Sequence, residues 1–348
     1  MCVMHTEVCI TIDTEFSIAG AFGDMQRRPV AEPIVWCDVN GRSEGLGFLL
    51  ACFKKYRISA TFFVEALNRY YFTHDPMKEI AYRILEQGHE VQLHAHPCWA
   101  VFQHEDWRER VRKHPRQDDF FGRSEDSSLG LIKAGLESFA DWGVPAPQVF
   151  RSGSLQHDEG LYRALERAGV PYSSNVGLAI FDSGNPAYQL YTGRHLRHGV
   201  LECPVLTFCD WHVAGRRHLK SLTISGTSFN ETRTLLENAH SAGVEQVVIL
   251  THPFEYVQSR DLSFAHARRH AVNQQRLKQL CSFLDNNRDR FSAVGMAQSA
   301  SRVKKTTVEK NILLDGARWQ AVGRMATQVS YDKIGNFALA CTRLAPQQ

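Results

Sequence analysis

The chain has 348 residues, of which 43% are hydrophobic and 22% charged, and a formal net charge of +3. That length suits one large α/β domain, or one domain with a small appendage. The small charge gives no reason to invoke nucleic acid, no nucleic-acid-binding motif is present, and no apolar run approaches membrane-spanning length.

In chain order, the first strand is expected at about Val8 to Asp13. Because strand character begins near Glu7, no room is left for a cleaved signal. A glycine- and proline-bearing stretch follows to Asn40. Ser43 then reads as an N-cap, ahead of Leu46, Leu49, Leu50 and Phe53 at helical spacing. Ile58 to Val64 reads as the second strand. In the next helix Asp75 is the expected cap, Pro76 opens the first turn and Gly88 lies just past the end. Val91 to His94 is the third strand. Phe102 to Asp126 mixes charge of both signs with Trp107, Phe120 and Phe121. It reads as an insertion that covers a site or as a solvated excursion.

Regular alternation resumes with a helix ending near Gly143, a strand at Gln148 to Arg151 and a helix ending at Gly169. Glu202 lies in a further strand. A helix ending at Gly243 precedes the apolar strand Val247 to Thr251. The last long helix carries Leu277, Leu280 and Leu284, before a strand at Phe291 to Val294. Strands alternating with helices imply βαβ units and a parallel sheet, open or closed. The fold class expected is α/β, with about seven such units over residues 5–300. From 301 to 348 the rhythm changes to short strand-like pieces (Asn311 to Leu314, Trp319 to Val322, Phe337 to Cys341), which read as a small β-rich C-terminal appendage. Nine cysteines without framework spacing read as free thiols in a reducing cytoplasm.

Four segments share one pattern, an apolar run that ends in groups able to bind a metal or move a proton. They are ITIDTE (10–15), VQLHAH (91–96), VFRSG (149–153) and VVILTH (247–252). Parallel strands would bring all four ends to one face, where α/β folds place their sites. Asp13 and Glu15 share a face by strand alternation; two carboxylates at one strand mouth repel unless a cation or proton lies between them. Otherwise one caps the next segment and the other is solvated.

His94 and His96 repeat the i, i+2 relation, and Cys98 follows Pro97. Imidazole and thiolate are both zinc ligands, although any single histidine of the sixteen is more often an ordinary strand residue. Arg151 could orient a carboxylate through a bidentate contact or form a plain ion pair. His252, closing the most hydrophobic strand, suits a general acid.

Together these segments resemble the polysaccharide deacetylase superfamily, the NodB homology domain of carbohydrate esterase family 4, over about residues 5–300. ITIDTE resembles its first motif in a D-x-E variant, GHEVQLHAHPCW its metal-binding histidine motif, and FRSG its third. LECP (201–204) resembles its fourth motif and VVILTH its fifth. The H-x-H-P-x-W segment is similar to a branch with lipopolysaccharide-biosynthesis members.

The resemblance implies a distorted (β/α) barrel and a divalent metal, zinc first, with cobalt or nickel as alternatives. It implies hydrolysis of an N- or O-acetyl group on a sugar. Asp13 would be the catalytic base, tethered by Arg151, and His252 the acid for the leaving amine or alcohol. Glu15 and His94 match metal ligands. The usual second histidine falls four residues after the first, where this chain has Cys98. Either Cys98 supplies a thiolate, or His96 does the work from i+2, or the metal site is lost; alternation favours His96.

With no export signal read, a cytoplasmic substrate is expected: an acetylated sugar, a nucleotide sugar or a lipid-linked glycan. Basic clusters at Arg194 to His198 and Arg216 to Lys220 could meet a pyrophosphate or be solvated surface. Two other functions stay open: a metal-dependent amidase on a small non-carbohydrate amide, and a catalytically inactive sugar-binding or scaffolding relative.

Overall fold

The computed structural model describes residues 5–316 except 25, 115–116, 214 and 304–308. Its main sheet holds nine strands: β1 (Thr6–Thr14), β2 (Thr61–Glu65), β3 (Glu90–Ala95), β4 (Val149–Ser152), β5 (Tyr172–Ser173), β6 (His195–Arg197), β7 (Val200–Glu202), β8 (Gln246–Thr251) and β9 (Phe291–Ala293). Their order is β8-β1-β2-β3-β4-β5-β7-β6, with β9 beside the first residues of β1. Every pairing is parallel except β6 with β7.

The two ends of this curled sheet meet through single bridges. Val205, just past β7, pairs with Val248, and Thr223 pairs with Leu250, both on β8. The result is a distorted (β/α) barrel with eight parallel strands where about seven were expected. The added strand is β5, whose two residues are too few to show a period-two pattern.

Alternation along the strands separates two cores. Val8, Ile10, Ile12, Phe62, Val64, Leu93 and Ile249 pack in the larger apolar cluster, which also takes in the buried helix faces. Cys9, Phe63, Val149, Leu201, Val205 and Val248 form a second cluster with Met296 and Ala297. Because the strands are buried on both sides, they read as nearly continuous apolar runs. Thr11 and Asp13 continue the series that starts at Cys9, so they share the barrel's inner face.

The covering helices are α1 (Leu46–Tyr56), α2 (Met77–Glu86), α3 (Glu125–Trp142), α4 (Glu159–Ala168), α5 (Phe229–Ser241) and α6 (Ala271–Asn286). Two expected caps differ. Gly45 holds the cap position of α1, and Ser43 accepts from the Gly47 amide from further out. Asp75 does not cap α2; its carboxylate accepts the Trp142 indole N–H at 2.6 Å, tying α2 to the end of α3. A buried indole N–H needs an acceptor, and the sequence around Asp75 carries no trace of a partner so far along the chain.

Of the expected C-terminal appendage, residues 301–303 and 309–316 are described, and the strand-like pieces expected at 319–322 and 337–341 lie outside the described residues. Leu314–Asp315 pairs with the hairpin Thr207–Val213/Arg216–Ser221. No helix among the described residues is long and apolar enough to cross a membrane.

Candidate metal centre

Parallel register sets the site. His94 lies opposite Glu65 on one side and Arg151 on the other, and Ile12 lies opposite Thr251. The C-terminal ends of β1, β2, β3, β4 and β8 therefore place Asp13, Glu15, Glu65, His94, Arg151 and His252 at one mouth.

Three donors converge. Glu15 Oε2 lies 3.0 Å from His94 Nε2 and 2.7 Å from His96 Nε2. Their ligand atoms all lie within 4.8 Å of one another. Both imidazoles are held from behind: His94 Nδ1 lies 2.9 Å from the Arg151 carbonyl oxygen and His96 Nδ1 lies 2.7 Å from Asp118 Oδ2. An acceptor at Nδ1 fixes the proton there and leaves the Nε2 lone pair facing forward, which is how metal-binding histidines are usually oriented.

Charge points the same way. Burial works to raise the Glu15 carboxyl, but the charge of His96 and its bonds to both imidazoles hold it well below the usual range. Burial disfavours the His96 imidazolium, yet Asp118 and Glu15 outweigh it and hold that group well above its ordinary value. A field that keeps a proton between these groups also favours a cation there. Donor set, spacing and outer support fit a divalent metal.

Cys98 converges with a different set. Its thiol groups with His96 and Asp118, and burial and then the charge of Asp118 push it well above its ordinary value. His96, Cys98 and Asp118 form a second set of donors within 4.8 Å of one another, sharing His96 with the first. Asp118 also accepts from the Cys98 amide at 3.2 Å, so one carboxylate braces the whole His96–Cys98 turn. The turn has a second support in Gly153 of the VFRSG segment: a Cβ there would lie 2.6 Å from His96 Cε1, so only glycine leaves room for the ring.

Arg151 is wholly buried. Its Nη1 donates to Asp13 Oδ1 and Thr11 Oγ1, each at 2.8 Å, and its other nitrogens donate to Ser174 O at 3.0 Å and Ser174 Oγ at 2.7 Å. The guanidinium also lies over the Phe63 ring, 4.2 Å from its centroid. With Oδ1 of Asp13 taken, Oδ2 faces His252, 3.9 Å from its Nε2. His252 Nδ1 lies 3.2 Å from Glu255 Oε1, and Glu255 is itself braced by Thr251 and Ser225.

Burial lowers His252, but Glu255 first and then Asp13 raise it to about 9. A histidine raised in the folded state adds stability that is complete below its unfolded value of about 6.5. That stability is lost as pH rises through about 9. The urea midpoints of wild type and His252→Gln are expected to differ most at the acid end of this window and to converge above it. A difference constant across the window would contradict the Glu255–His252 pairing.

Four partners escaped the sequence reading. Asp118 sits inside the 102–126 insertion, and nothing local marks it among that segment's many charges. Glu65 accepts from the His96 amide at 2.5 Å and the Leu67 amide at 2.6 Å; burial raises it to about 7 against the pull of both histidines. It closes the apolar run of β2 as Asp13 closes that of β1, so the same criterion finds it. Glu255 lies three residues past His252, a spacing that marks it only once that turn is known. Ser174 meets Arg151 from the end of β5, the strand too short to read.

Glu202 of the LECP segment is structural. It accepts from Tyr162 at 2.8 Å, Ser173 at 2.5 Å and the Val176 amide at 2.9 Å, binding α4 and β5 together. Arg194 is neither solvated nor open to a pyrophosphate; it is buried, 3.2 Å from Glu7 and 3.0 Å from Glu309.

No family model and no curated relative matches the sequence. The solved structures similar to the chain include polysaccharide deacetylases and carbohydrate esterases of family 4. A Mycobacterium smegmatis protein described as a polysaccharide deacetylase is 16% identical, with 89% of this chain and 96% of that one covered and a TM-score of 0.48. A family 4 acetyl xylan esterase from Clostridium thermocellum, solved with cobalt, is 14% identical over 85% and 91%, TM-score 0.41. The peptidoglycan deacetylase PdaC of Bacillus subtilis is 12% identical over 86% and 93%, TM-score 0.40.

Proposed function

We propose that the chain is a metal-dependent hydrolase that removes an acetyl group from a sugar or glycan intermediate. The observation that carries this reading is the convergence of Glu15, His94 and His96 beside two braced proton-transfer groups, Asp13 with Arg151 and His252 with Glu255.

A divalent cation held by Glu15, His94 and His96, zinc first, would supply Lewis acidity and lower the pKa of water. The remaining work belongs to side chains. Asp13, held by Arg151 with Oδ2 free for the reaction, accepts the proton of the attacking water. Arg151 fixes the orientation of that carboxylate without reaching the substrate. His252, kept protonated at neutral pH by Glu255, donates to the departing amine or alcohol. Cys98, which stands with His96 and Asp118 and not with Glu15 and His94, is left outside the ligand set.

Metal content tests this directly. Protein purified without added metal or chelator is expected to hold about one zinc per chain, as one three-donor site requires. His94→Ala and His96→Ala should lose it, and Cys98→Ala should keep it. Asp118→Asn should weaken zinc about 10–100-fold in a chelator competition, the usual effect of removing an outer partner. No metal in the wild type, even after reconstitution with zinc, cobalt or nickel, would sink the reading. Acetate release from acetylated chito-oligosaccharides separates it from an amidase, whose product would be ammonia or a ring-opened amide.

A further inference from the structure

Two loops leave the site side by side. One follows Glu15 and is closed by the paired backbones of Ser17 and Val30; the other follows His252. They come together near Gly20, whose φ is +77°: a Cβ built there would lie 3.0 Å from Arg27 Nη1 on its own loop and 3.7 Å from Leu262 Cδ1 on the other. Between them lies an open cavity of about 520 Å³, with Arg27, Arg28 and Arg260 in its wall and Pro29, Val30 and Leu262 as its apolar part.

The wall holds three arginines, of which Arg260 already has a partner. Asp261, its one acidic member, is turned to its own loop, accepting from Ser263 at 2.5 Å and from the Ala265 and His266 amides at 3.0 and 3.2 Å. Arg27 has an exposed partner in Asp24 at 3.3 Å, a kind of pair that contributes little. Arg28 is exposed and has no ion pair among the described residues. The loop that carries Leu262 is tied to the proposed chemistry: Phe264, two residues further on and outside the cavity wall, packs on Phe254 at 6.5 Å between ring centroids, and Phe254 stacks on His252 at 4.9 Å.

We propose that this cavity binds the diphosphate of a diphosphate-linked acetylated sugar, through Arg27 and Arg28. This rests on the deacetylase reading for the sugar and on the cavity alone for the diphosphate. Guanidinium groups match phosphate oxygens with two parallel bonds, and a cationic recess concentrates such anions. The apolar wall would take what the diphosphate carries on its far side, a nucleoside or a prenyl chain.

The test is calorimetric titration of the full chain with inorganic pyrophosphate and with UDP. Saturable binding at one site is expected. It should weaken about tenfold or more in the Arg27→Gln/Arg28→Gln double variant, which loses charge-assisted bonds. It should persist in Arg216→Gln and in His94→Ala. UDP tighter than pyrophosphate would point to a nucleoside-linked sugar, and equal affinities to contacts with the diphosphate alone; both support the site. No saturable binding, or binding lost with His94 instead of the arginines, overturns it. Arginine-dependent binding without acetate release from any acetylated sugar would keep this site and sink the deacetylase reading. Deacetylation of a neutral chito-oligosaccharide with no pyrophosphate or UDP binding would do the reverse.

Discussion

Asp13→Asn is expected to lower acetate release about 10²–10⁴-fold, the range for loss of a positioned proton acceptor, while zinc content stays at the wild-type level. Asparagine keeps an oxygen for Arg151 Nη1 and nearly the same shape, but it cannot take up a proton. The donors that converge on Glu15 Oε2 belong to other residues, so the ligand set is untouched. Activity within about threefold of wild type, at unchanged zinc, would remove Asp13 from the reaction. Loss of zinc along with activity would instead make Asp13 a ligand.

The second large effect is on stability. Arg151→Met should cost about 3–5 kcal/mol, read as a shift in the urea midpoint, because it leaves a buried carboxylate without its partner. Asp13 is only 4% exposed, and Thr11 and Ser174 would also lose their donor. The Asp13→Asn/Arg151→Met double variant should recover part of the loss, since no unpaired buried charge remains. Strict additivity of the two single effects would show that the 2.8 Å pair contributes no coupling. The pair would then be a by-product of packing and not what holds the Asp13 carboxylate in place.

The candidate centre was legible in unequal parts. Asp13, Glu15, His94 and His96 each close an apolar run, and the period of two alone puts each pair on one face. Arg151 and His252 carry the same signal. Cys98, singled out by its i+4 spacing, stands with His96 and Asp118 and not with Glu15 and His94. Spacing could not separate these outcomes, because the chain turns after Pro97 and alternation stops there. The partners that orient the histidines carry even less local signal. The Arg151 carbonyl lies 57 positions from His94 and the Asp118 carboxylate 22 from His96.

By itself, then, the sequence determined the α/β alternation, the strand ends and the residue types that meet there. Strand and helix periodicity is a local property, and parallel strands joined by helices must bring their C-terminal ends to one side. Only the tertiary structure decided which donors stand together, what braces them, and which arginines face a cavity. Those contacts join segments remote in the chain. Their approach is set by how the 102–126 insertion and the loops after β1 and β8 pack over the barrel mouth, which no local pattern records.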